Sequence, residues 1–339
     1  MEFQLVDIQT QDLVDAAGPM LEQHVGEPYL KPEFHQSSLE LASPPAQSLS
    51  ELAGSVQGLA HDLLRVAKGL GLEVCSAGTH PCFNRSATIT PGARYRALEQ
   101  AAGWLSHHQV TFGTHVHLGM RSGDDAVALM RKLKPYLPVL IALSASSPFW
   151  QGEDTRFAAF RHRVLATARS YGTPPDFADW GCPERFLSSL QRAGIAAELH
   201  DLHWDIRPSP VLGTLEVRVM DAQPTVGEAL ALAALVRALV RFLQHAPEQA
   251  PVPQRDEAPL RQPLKPVHWW SLKDNCFVAS RYGIDAMVVV DDDGRVVALR
   301  DVAQTMFRAI APFAEADETP YLQRLEQTVS GGLPYVRQR

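Results

Sequence analysis

Two short stretches of the chain concentrate side chains that can hold a metal ion or a phosphate group. FGTHVHLG (112–119) carries His115 and His117, and GTLEVRVMD (213–221) carries Glu216 and Arg218 with the same i, i+2 spacing. On a strand, residues at that spacing share one face, so each pair presents both side chains together. Leu215, Val217 and Val219 take the opposite face of the second stretch, toward a core. Two co-facial imidazoles suit a divalent cation or phosphate oxygens; a carboxylate beside a guanidinium suits a surface ion pair or an anion site. Gly113 and Gly119 flank the histidines and permit a backbone or ligand to come close.

Further carboxylates come early, with Glu2 in the opening strand and Glu33 and Glu40 bracketing EFHQSSLE. Carboxylate oxygens suit a hard cation such as Mg²⁺, which needs few protein ligands and keeps waters and substrate phosphates. Each glutamate taken singly reads as a solvated surface residue. Arginines stand in polar, loop-like text: Arg156 and Arg161, Arg207 in HWDIRPSP, and Arg281 in NCFVASRYG. Their forked donors suit carboxylates and phosphates. Arg207 is set apart by Trp204 and Pro208, which indicate a packed setting. There is no G-x-x-x-x-G-K-[ST], no G-x-G-x-x-G after a strand and no G-x-S-x-G, so an ATP site must be of another kind. Cys75 and Cys82 near His80 lack the context of a thiol nucleophile.

The elements around these residues belong to an ordinary globular chain. Its 339 residues carry 31 Lys+Arg against 38 Asp+Glu, a net charge of −7, with 45% hydrophobic and 20% charged residues. That composition buries a core and excludes wholesale disorder. The mild negative charge gives no general pull toward nucleic acid or anionic membrane, while leaving room for a local basic site. Four cysteines without a C-x-x-C pair do not form a disulfide scaffold. The opening MEFQLV lacks the basic and apolar regions of a signal peptide, and the apolar run Leu137 to Leu143 is far short of the roughly 20 residues that span a bilayer. The expected location is a reducing cytoplasm.

Hydrophobic periodicity predicts strands at the N-terminus (Phe3, Leu5 and Ile8 facing one way), around Ser37 to Leu41, at LEVCSAG, over 110–118 and over 213–221. It predicts helices over 48–70, 94–108, 123–145 (interrupted by Pro135 and Pro138), from Pro183, and over 226–245, with two more closing the chain. MVVVDDDGRVVAL reads as a hairpin, and 148–182 as a loop rich in Pro, Gly and Asp. This irregular mix is α+β with a largely antiparallel sheet. A symmetric homodimer is expected from the frequency of such assemblies, with the 123–145 or 226–245 helices as candidates for the contact.

SAGTHP (76–81), FGTHVHLG, PYLPVLIALSASSPFWQGEDTRFA (135–158), HWDIRPSP (203–210), GTLEVRVMD and NCFVASRYGIDA (275–286), in that order, resemble the bacterial type 2 glutamate–cysteine ligase family, the carboxylate–amine ligases. The resemblance runs from Glu2 to nearly the C-terminus. It implies a glutamine-synthetase-like catalytic domain over residues 1–339, a curved, mainly antiparallel sheet with helices packed outside, and a Pro-rich surface excursion at about 246–266. It implies ATP and Mg²⁺ as cofactors and amino acids as substrates, L-glutamate and L-cysteine first. By motif, Glu2, Glu33, Glu40 and Glu216 look like metal carboxylates and His115 like a metal ligand. His117 and Arg218 look like contacts to ATP phosphates, and Arg161 and Arg207 are candidates for the substrate carboxylate or the transferred phosphoryl group. The implied reaction forms an acyl phosphate that an amine then attacks, with the 148–182 loop excluding water. The family's first strand carries E-x-E, of which this chain holds only the second glutamate, Glu2; the expectation is either residues upstream of Met1 or a site with one metal ligand fewer. The alternatives are a metal-dependent hydrolase, which would need further His and Asp ligands at later strand ends, and a non-catalytic nucleotide-binding relative.

Overall fold

Alternation along a few short strands decides which residues face the helices and which face the site. The first sheet is formed by β1 (Glu2–Asp7), β2 (Leu30–Pro32), β3 (Ser38–Leu41) and β4 (Leu72–Cys75), antiparallel in the order β2-β3-β1-β4. Phe3, Leu5, Leu39 and Leu41 pack against Met20 of α1 (Ala17–Gln23) and Ala60, Leu63, Val66 and Ala67 of α2 (Leu49–Gly69). Glu2, Gln4 and Glu40 are therefore left on the opposite face. The α2 helix starts and stops where its sequence says it should: the Ser48 hydroxyl accepts from the Glu51 amide at 3.1 Å, and Gly71 beyond its end has φ +72°. The structure, a computed structural model, describes residues 1–23, 28–245 and 264–339.

After α3 (Ala93–Ala102) comes β5 (Val116–Gly119), then α4 (Gly123–Leu133) and α5 (Leu137–Ser144). A small hairpin, β6 (Phe149–Trp150) and β7 (Glu153–Asp154), is followed by α6 (Phe160–Leu165) and α7 (Gly181–Arg192). Strands β8 (Ile206–Ser209) and β9 (Thr214–Val217) complete a second antiparallel sheet in the order β5-β9-β8. The chain continues with α8 (Val226–His245), α9 (Trp269–Tyr282), the hairpin β10 (Met287–Val289) and β11 (Val296–Ala298), and helices α10 (Leu299–Ile310), α11 (Thr319–Thr328) and α12 (Pro334–Gln338). Leu215 and Val217 join the main core with residues of α4, α5, α8, α9, α10 and α11. The two sheets meet at Gly113, whose carbonyl accepts from the Glu2 amide at 3.0 Å and which bridges to Asp221.

Several expectations change in the structure. Regular pairing over 110–118 begins only at Val116; before it, Phe112 and Thr114 switch partners, bonding Gly78 on one side and Met220 and Ala222 on the other. Strand β9 is regular only to Val217, one further ladder bond running from the Arg218 amide to the Asp205 carbonyl at 2.8 Å. Ile8 lies beyond β1 and is 50% exposed. The 94–108 helix tightens to a 3₁₀ turn at Gly103, and the 123–145 helix divides around Pro135, which cannot donate to the helical ladder. The 148–182 segment is more than a loop, since it holds β6, β7 and α6, and three helices rather than two close the chain. The Pro-rich excursion falls outside the described residues except for residues 264–266. The 226–245 helix is not a free face for a dimer: α2, α4, α10 and α11 pack on it.

Glu318, fully buried, ties α8 to the turn before α11: its Oε2 accepts from Arg241, and its Oε1 lies 2.9 Å from Arg237 Nε as an ion pair. Glu318→Ala leaves two guanidinium groups without that carboxylate and should lower stability by about 3 kcal/mol. Urea unfolding read as a fall in midpoint checks this; an unchanged midpoint would show that the cluster is incidental.

Candidate active site

The inner face of the second sheet is organised by one carboxylate. Glu216 is only 3% exposed, and the register places it directly between His117 on β5 and Arg207 on β8. Arg207 donates to Oε2 through Nη2 (2.8 Å) and Nε (3.2 Å), and Arg218 donates to Oε1. His115 Nδ1 and His117 Nε2 each lie 3.6 Å from the same Oε1. Burial alone would raise the Glu216 carboxyl, but the Arg218 and Arg207 guanidinium groups outweigh it and hold the group below the usual carboxylate range. The i, i+2 reading is thus realised in space: both histidines and Arg218 converge on Glu216, although His115 and Arg218 stand just outside the regular strands.

Arg207 has its donors turned to the protein itself. Besides Glu216, its Nη1 donates to the carbonyls of His200 (2.5 Å) and Leu202 (3.0 Å). Beside it, His203 is pushed down to about 4 by burial and by the nearby Arg218 and Arg207.

The first sheet contributes the opposite charge. Glu2 on β1 and Glu40 on β3 are direct cross-strand partners, and Glu33 follows the end of β2. Like charges so placed repel. Burial raises the Glu2 carboxyl, with Arg161 pulling the other way and Glu40 adding to the rise. Glu33 is pushed up to about 8 by burial and by Glu2 and Glu40. Glu2 also accepts from the Gly113 amide at 2.5 Å, and its Oε1 lies 3.7 Å from His115 Nε2. His115 thus stands between the two groups. Burial, then Arg218 and Arg161, hold its pKa well below the ordinary imidazole value, so the ring is neutral, and its buried Nε2 has no hydrogen-bond partner.

These residues fit a hard divalent cation: the crowded oxygens of Glu2, Glu33 and Glu40, of which Glu2 and Glu33 resist ionisation, and a neutral imidazole with an unpartnered nitrogen. Among the described residues no three His, Cys, Asp or Glu side chains converge as a ready-made cage. Mg²⁺ is the ion that tolerates this, because waters and phosphate oxygens complete its shell.

Arg161 of α6 is buried beneath His115 and reaches the carbonyls of Val219 (3.4 Å) and Arg218 (3.5 Å). A Cβ built on Gly113 would lie 2.3 Å from Arg161 Nη2 and 2.9 Å from His115 Nε2, so any side chain there would displace the Arg161 guanidinium or the His115 ring. Gly119, expected to serve likewise, has nothing within 4 Å of that position. Arg156 is exposed, and Arg281 stacks over Phe157 and Tyr282; neither joins the cluster. The Cys75 thiol is pushed up by burial and Glu73, the reverse of an activated nucleophile. Asp221 was missed by the sequence reading. Its Oδ2 accepts from the Ser146 amide (3.0 Å) and the Ser147 hydroxyl (2.6 Å) at the floor of the site. The signal was the last letter of E-V-R-x-x-D, but a period of two from Glu216 leads to Met220 instead.

Ionising Glu33 is harder in the folded site than in an unfolded chain. Its contribution to stability is therefore full below about pH 4.5 and is lost as pH rises through about 8. Metal-free wild type should lose melting temperature relative to Glu33→Gln as pH is raised from about 6 to about 9. A constant difference across that range would contradict the crowded-carboxylate account.

The profile of glutamate-cysteine ligase family 2 matches residues 1–338. A relative from Trichormus variabilis is 39% identical over 340 residues, covering 100% of this chain and 86% of its own length. Another, from Thermobifida fusca, is 34% identical over 349 residues, covering 100% and 84%. Both carry the name "Putative glutamate--cysteine ligase 2". Among solved structures, the glutamate–cysteine ligase of Francisella tularensis in complex with AMP has a TM-score of 0.68 at 13% identity, over 99% of this chain and 82% of that one. A bifunctional glutathione synthetase from Pasteurella multocida has a TM-score of 0.62 at 14% identity, over 99% and 47%. At those identities the two structures speak to the fold, and they agree with the expected α+β, glutamine-synthetase-like architecture. The chain belongs to glutamate-cysteine ligase family 2.

Proposed function

We propose that the chain is an ATP- and Mg²⁺-dependent carboxylate–amine ligase, acting in the cytoplasm as one catalytic unit over residues 1–339 and as a homodimer. It activates a carboxylate, L-glutamate first, as an acyl phosphate and joins it to an amine, L-cysteine first, giving γ-glutamylcysteine. The observation that carries this reading is the division of one inner face into two poles. Glu2 and Glu40 on one sheet crowd with Glu33 just beyond its β2 strand, and Arg207, Arg218, His115 and His117 surround Glu216 on the other. A magnesium nucleotide presents both a cation and a polyanion, and so matches both poles. Family membership supports the ligase class, and the AMP held by the Francisella ligase supports a nucleotide site in this fold. No described helix is long and apolar enough to cross a membrane.

Glu2, Glu33, Glu40, Glu216 and His115 would hold Mg²⁺, which when bound neutralises phosphate charge. His117 and Arg218, with side chains 36% and 20% exposed, are the open members of the basic pole and take the ATP phosphates. A substrate carboxylate oxygen attacks the γ-phosphorus as the bond to ADP breaks. The amine nitrogen then bonds to the acyl carbon, the carbon–oxygen bond to phosphate breaks, and the nitrogen loses a proton. Arg161 faces the transferred phosphoryl group or the substrate carboxylate, while Arg207, its donors engaged, fixes Glu216. The 148–182 segment, which carries Arg161, keeps water from the acyl phosphate.

ADP release with Mg-ATP and L-glutamate, with and without L-cysteine, tests this, with product mass to identify the peptide. Glutamate-dependent ADP formation yielding γ-glutamylcysteine is expected. Response to another amine would replace the substrate, and binding of Mg-ATP without turnover would mark a non-catalytic relative. Glu216→Gln keeps an acceptor for Arg207 but removes the charge, and should lower kcat by about 10²–10³-fold. Arg218→Lys should lower it by about 10²-fold, since an ammonium does not reproduce the guanidinium fork. Full activity in either variant would remove that residue from the mechanism.

A further inference from the structure

Behind the basic pole, Arg161 and Asp221 lie in a slot built by two glycines. Arg161 Nη1 stands 3.9 Å from Asp221 Oδ1, with side chains 5% and 1% exposed. Asp221 is Arg161's one carboxylate partner among the described residues, and Oδ1 has no hydrogen bond of its own. A Cβ on Gly78 would lie 2.6 Å from Asp221 Cγ and Oδ2, and one on Gly113 would lie 2.3 Å from Arg161 Nη2. Each glycine backbone therefore lies flush against one member of the pair. Neither has a positive φ, so space, not backbone conformation, is what requires them.

The carboxylate also gathers chain segments that are far apart in sequence. Its Oδ2 binds the Ser146 amide and Ser147 hydroxyl; Ser146 Oγ accepts from the Gly78 amide at 3.0 Å and donates to the Ala222 carbonyl at 2.6 Å. Ser147 Oγ in turn accepts from the Arg161 amide at 3.0 Å, and its carbonyl from the Phe160 amide at 3.1 Å. Asp221 thus holds Arg161 twice, through its backbone by way of Ser147 and through its guanidinium by charge. A packed core needs only the first of these. Burial raises the Asp221 carboxyl, and Arg161 is the strongest group pulling it back down; an Oδ1 left without a hydrogen bond and aimed at that guanidinium requires another explanation.

We propose that Asp221 is a positioning residue: its negative charge fixes the Arg161 guanidinium beside His115 and partly neutralises it, so that Arg161 engages charge that develops during phosphoryl transfer instead of trapping the ground-state anion. This rests on the ligase reading above. Asp221→Asn is the informative variant, because its amide oxygen can keep both bonds made by Oδ2, while at the Oδ1 place the charge facing Arg161 is lost and an NH2 takes the place of the acceptor.

In Asp221→Asn the kcat for glutamate-dependent ADP release should fall by about 10²-fold, the scale for a misplaced contact group, while KM for the acid stays level or falls. A purely structural role would instead lower the melting temperature and leave the kinetics of the folded fraction unchanged. In an Arg161→Lys background the same substitution should have little further effect; additive losses would overturn the proposal. Gly78→Ala, which drives a methyl into the carboxylate, should reproduce the Asp221→Asn kinetics, and wild-type kinetics in a folded Gly78→Ala would also overturn it. If wild type shows no glutamate-dependent ADP release, the functional reading fails. The Arg161 Nε–H resonance in ¹⁵N-arginine spectra, assigned by its absence from Arg161→Lys, then decides the proposal. A shift or broadening in Asp221→Asn supports it, and an unmoved signal overturns it.

Discussion

An ionised carboxylate cannot be buried cheaply, and Glu216 is buried. Taking such a group out of water costs several kcal/mol unless opposite charge and hydrogen bonds replace the solvent. Arg207 and Arg218 supply them, and each reaches Glu216 only because another part of the fold is in place. Arg207 needs the β8–β9 register and the carbonyls of His200 and Leu202. Arg218 needs its amide held by Asp205. The two histidines need β5 on the other side. Three strands, two turns and the apolar floor under Leu215 and Val217 are thus conditions for one charge to stay where it is.

The neighbouring sheet works by the opposite device. Where Glu216 is over-supplied with cations, Glu2, Glu33 and Glu40 are under-supplied, and Glu33 holds its proton up to about 8. His115 lies between the groups, neutral because it is buried near two arginines, so it does not cancel either pole. Separation of charge on this scale inside a protein is held by rigid backbone. Here that backbone is the seam at Gly113, where the Glu2 amide and Asp221 both meet the same residue.

Much of this was legible in the sequence wherever one short rule covered the geometry. The two-residue period placed His115 with His117 and Glu216 with Arg218, helical periodicity located α2, and the proline rule located the break before α5. The rules failed where pairing partners change within a few residues. Residues 110–114 look like a strand but serve two neighbours in turn, and Asp221 departs from the face set by Glu216. The contribution of Gly113 was legible as permission for close approach; that the visitor is Arg161, 48 positions away, was not. The same reasoning gave Gly119 a part it does not have. The packed setting of Arg207 was legible from Trp204 and Pro208; that its bonds go to Glu216 and to the carbonyls of His200 and Leu202 was not.

The proposed binding of a magnesium nucleotide across the two poles implies that the proton held at Glu33 is displaced when the cation arrives. Calorimetric binding of a magnesium-loaded, non-hydrolysable ATP analogue, repeated in buffers of different ionisation enthalpy at about pH 7, measures the protons exchanged. The account predicts net release of up to about one proton per site in wild type, and much less in Glu33→Gln. Binding with no proton release, or with the same release in both proteins, would contradict it.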